Sequence, residues 1–253
     1  MVPVLAFLFF ITGALYAAVG FGGGSTYTAL LVLSDVDYRI LPLLALSCNI
    51  IVVTGGVFHF GRSGHLSFHR ALPFLFTSVP AAWIGGRLEI TELFFVFLLG
   101  VALLITGLQM LFENNKPITN ASLKSPSPVA FVIGATIGLL AGLVGIGGGI
   151  FLAPILYRLN WGTGREIAAM SSIFILANSV AGLSGQLTKL SDNALLADGI
   201  HYWPLVVGVL LGGNIGSWLG SRKIPTDIIK KTTAVLILYV SARLIWRGIA
   251  LTG

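Results

Sequence analysis

Charge is scarce in this chain. Only 9% of its 253 residues are Asp, Glu, Lys or Arg, against about a quarter in a soluble domain. Hydrophobic residues make up 56% and the mean hydropathy is +0.95. That balance leaves no room for a soluble domain and points to a polytopic membrane protein with apolar runs near the ~20 residues a bilayer demands. The net charge of +6 sits in short loops, as membrane topology requires, so nucleic acid is excluded as a partner. A single cysteine, Cys48, excludes an internal disulfide and any multi-cysteine metal site. Carboxylates are missing from the middle of every apolar run: Asp35, Asp37, Glu89, Glu92, Glu113, Glu166, Asp192, Asp198 and Asp227 all fall at run ends or in loops. Membrane proton relays use buried carboxylates, so carboxylate-coupled antiport finds no support. No Lys or Arg precedes Arg39. The first apolar run thus lacks the basic start of a signal peptide and is expected to be a retained membrane segment.

What is abundant is glycine, and it is placed twice in the same way. Gly20-Phe21-Gly22-Gly23-Gly24-Ser25 interrupts one apolar run, and Gly145-Ile146-Gly147-Gly148-Gly149-Ile150 interrupts another. Each glycine costs a helix interior roughly 1 kcal/mol, so a duplicated triplet asks for a reason. The surroundings repeat as well. Apolar segments at 2–19, 26–33, 40–60, 71–86 and 93–112 are echoed by 129–144, 150–157, 167–187, 204–220 and 228–250. The third full span is expected to be interrupted at Pro80, and Gly85-Gly86-Arg87 at its end matches Gly220-Ser221-Arg222. The polar stretch after residue 112 carries Pro117, Pro126 and Pro128 and reads as a linker. The chain therefore divides into an N-terminal repeat (1–112), a linker (113–128) and a C-terminal repeat (129–253). The expected fold is an all-α polytopic membrane protein of two pseudo-symmetric repeats, each of about four helical elements with a glycine-broken first element.

The pieces at 26–33 and 150–157 are too short to cross a bilayer of ~30 Å. Two topologies remain open. Each glycine-broken run crosses once, giving eight crossings, or each short piece turns back, giving six crossings and inverted repeats. Ten of the fifteen Lys and Arg residues share a side in the second topology, whereas the first splits them seven to eight; the positive-inside rule favours the second.

Where a helix restarts after an unwound segment, backbone N–H groups are free and the helix dipole presents positive charge. Two such starts, at Ser25-Thr26 and Ile150-Phe151, can converge on an anion, with Ser25 able to cap the first. The alternative is that the glycines only let helices pack closely. Asn49 and Asn178 each stand mid-span, at equivalent places in the two halves; each either donates to the anion or hydrogen-bonds another helix. Ser47, Ser171 and Ser172 carry the same ambiguity, weighted to packing. His65 and His69 have helical spacing without a third ligand, so no metal is expected. Gly61-Arg62-Ser63-Gly64 matches the GxSG of intramembrane serine proteases, but its serine lies in a polar loop, and no catalytic residues are assigned. Arg243 and Arg247 are expected to snorkel to the interface.

On these residues the chain resembles the TauE/SafE family, the sulfite-exporter-like or DUF81 group. The resemblance rests on the two glycine motifs, the segments Pro73…Gly85-Gly86-Arg87 and Pro204…Gly220-Ser221-Arg222, and the two-half plan. It covers nearly the whole chain and implies export of sulfite, sulfoacetate or related organosulfonates through the bacterial inner membrane. Ile150, where the first motif has Ser25, departs from a strict repeat. The expected substrate site comprises Gly22, Gly23, Gly24, Ser25, Thr26, Asn49, Gly147, Gly148, Gly149, Ile150 and Asn178. The expected partners are a small anion and membrane lipid, with a homo-oligomer left open; no cofactor is expected. The rival readings are a non-transporting membrane scaffold or sensor, and a permease for a different anion.

Overall fold

The computed structural model describes residues 2–18, 20–34, 36–112, 128–189, 201–220 and 226–250. The linker expected at 113–128 lies outside them, apart from Pro128. Ten helices are described: α1 (Val2–Ala18), α2 (Gly24–Leu33), α3 (Leu41–Arg62), α4 (Phe68–Arg87), α5 (Glu92–Phe112), α6 (Pro128–Val144), α7 (Gly149–Arg158), α8 (Gly164–Leu187), α9 (Trp203–Gly220) and α10 (Thr226–Ala250). Among the described residues, Leu41–Arg62, Glu92–Gln109, Gly164–Leu187 and Trp203–Gly220 are long and apolar enough to cross a membrane by length and composition. Phe7, Phe76, Phe112 and Trp246 point outward, which suits a lipid-facing surface.

One expectation fails. The span carrying Pro80 is unbroken, since α4 runs through both Pro73 and Pro80. A proline removes one backbone donor from the ladder, and within a membrane bundle neighbouring helices compensate for such a loss.

Small residues fix the helix directions. Gly208, Gly212, Gly216 and Gly220 on α9 lie against the backbone of Ala6, Phe10, Ala14 and Ala18, so α1 and α9 run parallel. Gly134, Gly138 and Gly142 on α6 lie in the same way against Phe74, Ser78 and Ala82 on α4. At each of these seven positions a Cβ would overlap a carbonyl of the facing helix. Stripes of glycine four residues apart put two backbones in contact, which is how membrane helices gain dispersion energy without a hydrophobic drive. On the central antiparallel pair, Gly56 of α3 faces Ser172 of α8, and Gly182 of α8 faces Leu46 of α3. A second antiparallel pair joins α5 to α10, where Gly100 faces Ile245, Gly107 faces Leu238 and Ser241 Oγ donates to Gly100 O at 2.8 Å.

These directions define two ends. The start of α3 and the ends of α4, α6 and α8 gather at one, called here the near end. The start of α8 and the ends of α1, α3 and α9 gather at the far end. Gly24 sits beside Asn49, eight residues into α3, and α2 leads from that depth back to the near end where α3 begins. Gly149 sits beside Ile175 in the middle of α8, and α7 leads from there to the far end where α8 begins.

Candidate functional site

The two glycine segments meet at the centre of the bundle, held by the crossing of α3 and α8. Each segment is gripped by the long helix of the opposite half. Ser172 Oγ on α8 donates to Gly20 O at 3.0 Å, and Asn49 Nδ2 on α3 donates to Ile146 O at 3.1 Å. Gly20 packs on the backbone of Ala168, and Gly145 on Pro42.

The helices that follow start alike. Gly23 (φ 88°) is the N-cap of α2 and Gly148 (φ 83°) the N-cap of α7, both left-handed and both without a side-chain cap. An L-residue in that conformation pays roughly 1–2 kcal/mol, which accounts for glycine at both places. The first helical bonds run from Tyr27 N–H to Gly23 O (2.9 Å) and from Phe151 N–H to Gly148 O (3.1 Å). Helix geometry therefore leaves the N–H groups of Gly24, Ser25 and Thr26, and of Gly149 and Ile150, without an intrahelical acceptor. Ser25 does not cap α2, contrary to expectation. It stands at the second helical position, because the left-handed turn at Gly23 has already taken the capping place.

Asn49 is the residue that joins the two segments. A Cβ on Gly22, Gly24 or Gly147 would strike its amide, and a Cβ on Gly24 would also come within 2.8 Å of Ile146 O. The start of α2 thus abuts the second glycine segment across one fully buried asparagine. The expected equivalence of Asn49 with Asn178 is corrected by the structure. Exchanging the halves maps Pro42 onto Ala168, Leu46 onto Ser172 and Asn49 onto Ile175, which sits beside Gly147 and Gly149. Counting from the glycine motifs carries Asn49 to Phe174, one residue from Ile175; the pairing with Asn178 rests on mid-span position alone. Asn178 lies three residues further along α8, fully buried, and neither amide atom has a hydrogen-bond partner.

Further polar groups are buried here without partners: Asn49 Oδ1, Ser171 Oγ, Ser179 Oγ and the Tyr27 hydroxyl. Ser179 lies beside Gly147 and Tyr27 beside Gly23, while the Tyr27 ring stacks on Phe9 with centroids 4.5 Å apart. Thr26 Oγ1 is bonded to the Tyr16 hydroxyl at 2.6 Å, and Ser25 and Ile150 are buried in the first turns of their helices. Ser172 is bonded to Gly20 O and Ala168 O, a packing role. Ser179, Tyr16 and Tyr27 were not singled out from the sequence. Ser179 carried a signal, since it adjoins an intramembrane asparagine; the two tyrosines carried none. Among the described residues no group of three or more His, Cys, Asp or Glu side chains could hold a metal.

The family model for the sulfite exporter TauE/SafE matches residues 5–244. A probable membrane transporter protein of Sinorhizobium fredii is 32% identical over 245 residues, covering 96% of this chain and 97% of that protein. A probable membrane transporter protein of Haemophilus influenzae is 28% identical over 253 residues, with 91% and 93% covered. One from Xylella fastidiosa is 24% identical over 243 residues, with 90% and 88% covered. No solved structure matches the chain. With a helical bundle of spanning length and relatives that match over nearly their full length, the chain belongs to the sulfite exporter TauE/SafE family and is a multi-pass membrane transporter.

Proposed function

We propose that this transporter exports small sulfur-containing oxyanions, such as sulfite, sulfoacetate or related organosulfonates, and that the anion is held where the two broken helices restart. The observation that carries the reading is that the two glycine segments meet at the buried Asn49, with Gly22 and Gly24 of one and Gly147 of the other against its amide, each segment running into a left-handed turn from which a helix starts. Each N-terminus carries about half a positive charge. Two like poles brought together away from water repel, and no Asp or Glu occurs between residues 38 and 88 or between 114 and 165 to offset them. A bound anion supplies that charge. Backbone N–H groups donate to its oxygens, and Ser25, Thr26, Asn49 and Asn178 complete the donor set, an arrangement familiar from transporters with discontinuous helices. In such folds two inverted halves rock around a central site; the mutual grip of each glycine segment by the other half fits that motion. Export runs down the membrane potential, which contributes about 2.3 kcal/mol per charge per 100 mV, and needs no carboxylate relay.

Close packing explains Gly20 and Gly145, which touch a facing backbone, but not the left-handed N-caps at Gly23 and Gly148. The test is efflux from proteoliposomes loaded in parallel with sulfite, sulfoacetate, thiosulfate or sulfate under an imposed potential. Potential-driven efflux of the sulfonate or sulfite is expected. If none of the four anions moves faster than from protein-free vesicles, the transport reading fails.

A further inference from the structure

A cavity of about 230 Å³ opens at the near end between the two halves. It is smaller than the ~300–1,000 Å³ of pockets for drug-sized ligands, so its occupant is small. Its polar lining comes from Tyr38, Arg39 and Glu89 of the first half and from Gln186 and Lys189 of the second, with Pro42 and Leu143 among the apolar residues. Pro42 is the residue on which Gly145 packs, and Gln186 Nε2 donates to Gly142 O at 2.9 Å. The cavity therefore ends one residue layer from the second glycine segment.

We propose that this cavity is the vestibule of the anion path, a separate docking site in which Lys189 and Arg39 receive the sulfonate or sulfite oxygens. The proposal rests on the anion-export reading above and extends it to residues outside the central site. Lys189 is half-buried, and its Nζ donates to Leu88 O at 3.0 Å. That bond uses one of three ammonium donors. Burial lowers its pKa, and Glu89 nearby works the other way. Arg39 is fixed over Asp37 by a 2.6 Å ion pair, which orients the guanidinium. Among the described lining residues Glu89 is the one carboxylate. Among the described residues at the matching place of the far end, Phe60 is buried with Ala168 and Ala169, and Leu66 packs against them.

The test has a binding arm and a flux arm. In the binding arm, the full-length protein in neutral detergent is acylated with acetic anhydride, with and without saturating sulfoacetate, and each lysine is read by mass spectrometry. Sulfoacetate is expected to shield Lys189 and leave the other five lysines unchanged. In the flux arm, Lys189→Gln raises the half-saturating sulfoacetate concentration about tenfold, as loss of one charge-assisted hydrogen bond predicts, without lowering the maximal rate. Arg39→Gln acts in the same direction, and added salt reduces the difference between wild type and variants. Equal or absent shielding, or a lowered maximal rate with unchanged half-saturation, overturns the vestibule. Shielding of Lys189 by phosphatidylglycerol but not by sulfoacetate assigns the cavity to a lipid headgroup and overturns it as well. Shielding by sulfoacetate in a protein that moves no anion upholds the docking site and removes the export reading instead.

Discussion

Two asparagines that look alike in the sequence behave differently in the fold. Asn49 is bonded to Ile146 O and touches both glycine segments. Asn49→Leu leaves that carbonyl unpaired at the centre of the bundle, so a loss of about 1–3 kcal/mol is expected in thermal unfolding in detergent, together with reduced flux. Asn178 has no partner for its amide. A buried amide without a hydrogen bond is a liability, and an apolar residue of similar shape relieves it. Asn178→Leu is therefore expected to leave the melting temperature unchanged or higher while lowering transport, the signature of a group kept for function. A fall in melting temperature with normal flux would mark Asn178 as structural. The sequence made both residues visible, because an amide in an apolar run is conspicuous. Mid-span position pairs Asn49 with Asn178, whereas spacing from the glycine motifs leads to within one residue of Ile175, the counterpart that the packing shows.

The helices themselves were legible almost to their ends, because continuous apolar runs bounded by Gly, Pro and charge leave few alternatives. The glycine stripes, with 208, 212, 216 and 220 spaced by four, stand in the sequence as plainly as the triplets. The stripes bring two helix backbones into contact, so a stripe glycine and a glycine with open space around it respond differently to substitution. Gly212→Leu places a side chain where the carbonyl of Phe10 lies, and forcing α1 away from α9 costs about 1–3 kcal/mol or more. Gly61, in the last turn of α3, has only Leu66 within reach of a Cβ, at 3.7 Å. Gly61→Ala is expected to stabilise the protein by up to about 1 kcal/mol through helix propensity. Thermal melts of the two variants side by side check the contrast; equal effects would mean the stripe is not a contact. The expected break at Pro80 failed for a related reason, since a lone proline in a packed bundle is accommodated where repeated left-handed glycines, Gly20 and Gly23 in one motif and Gly145, Gly147 and Gly148 in the other, are not.

At the scale of the whole molecule, Arg70 adds a further tie between the halves at the far end. Arg70 at the start of α4 stacks on the Trp161 ring at 3.9 Å, donates to the Trp161 carbonyl and reaches Glu166 Oε1 at 3.4 Å. The ion pair is partly solvated and worth little alone, so the stacking and the carbonyl bond carry most of the tie. Arg70→Lys loses the planar stacking, and a loss of about 1 kcal/mol is expected in the same melts, with transport retained. That contact joins sequence positions ninety-one residues apart, which no local pattern could announce. The account as a whole stands on the two helix starts facing one buried point. Gly23→Asn and Gly148→Asn test it most directly, because asparagine tolerates the left-handed conformation while its Cβ, against Tyr27 in one case and Ile137 and Phe174 in the other, displaces the helix start that carries the free N–H groups. In proteoliposomes under an imposed potential, each variant is expected to reconstitute as a folded protein and to lose most sulfite and sulfoacetate efflux. Full efflux from both variants would contradict an anion held at the broken helices.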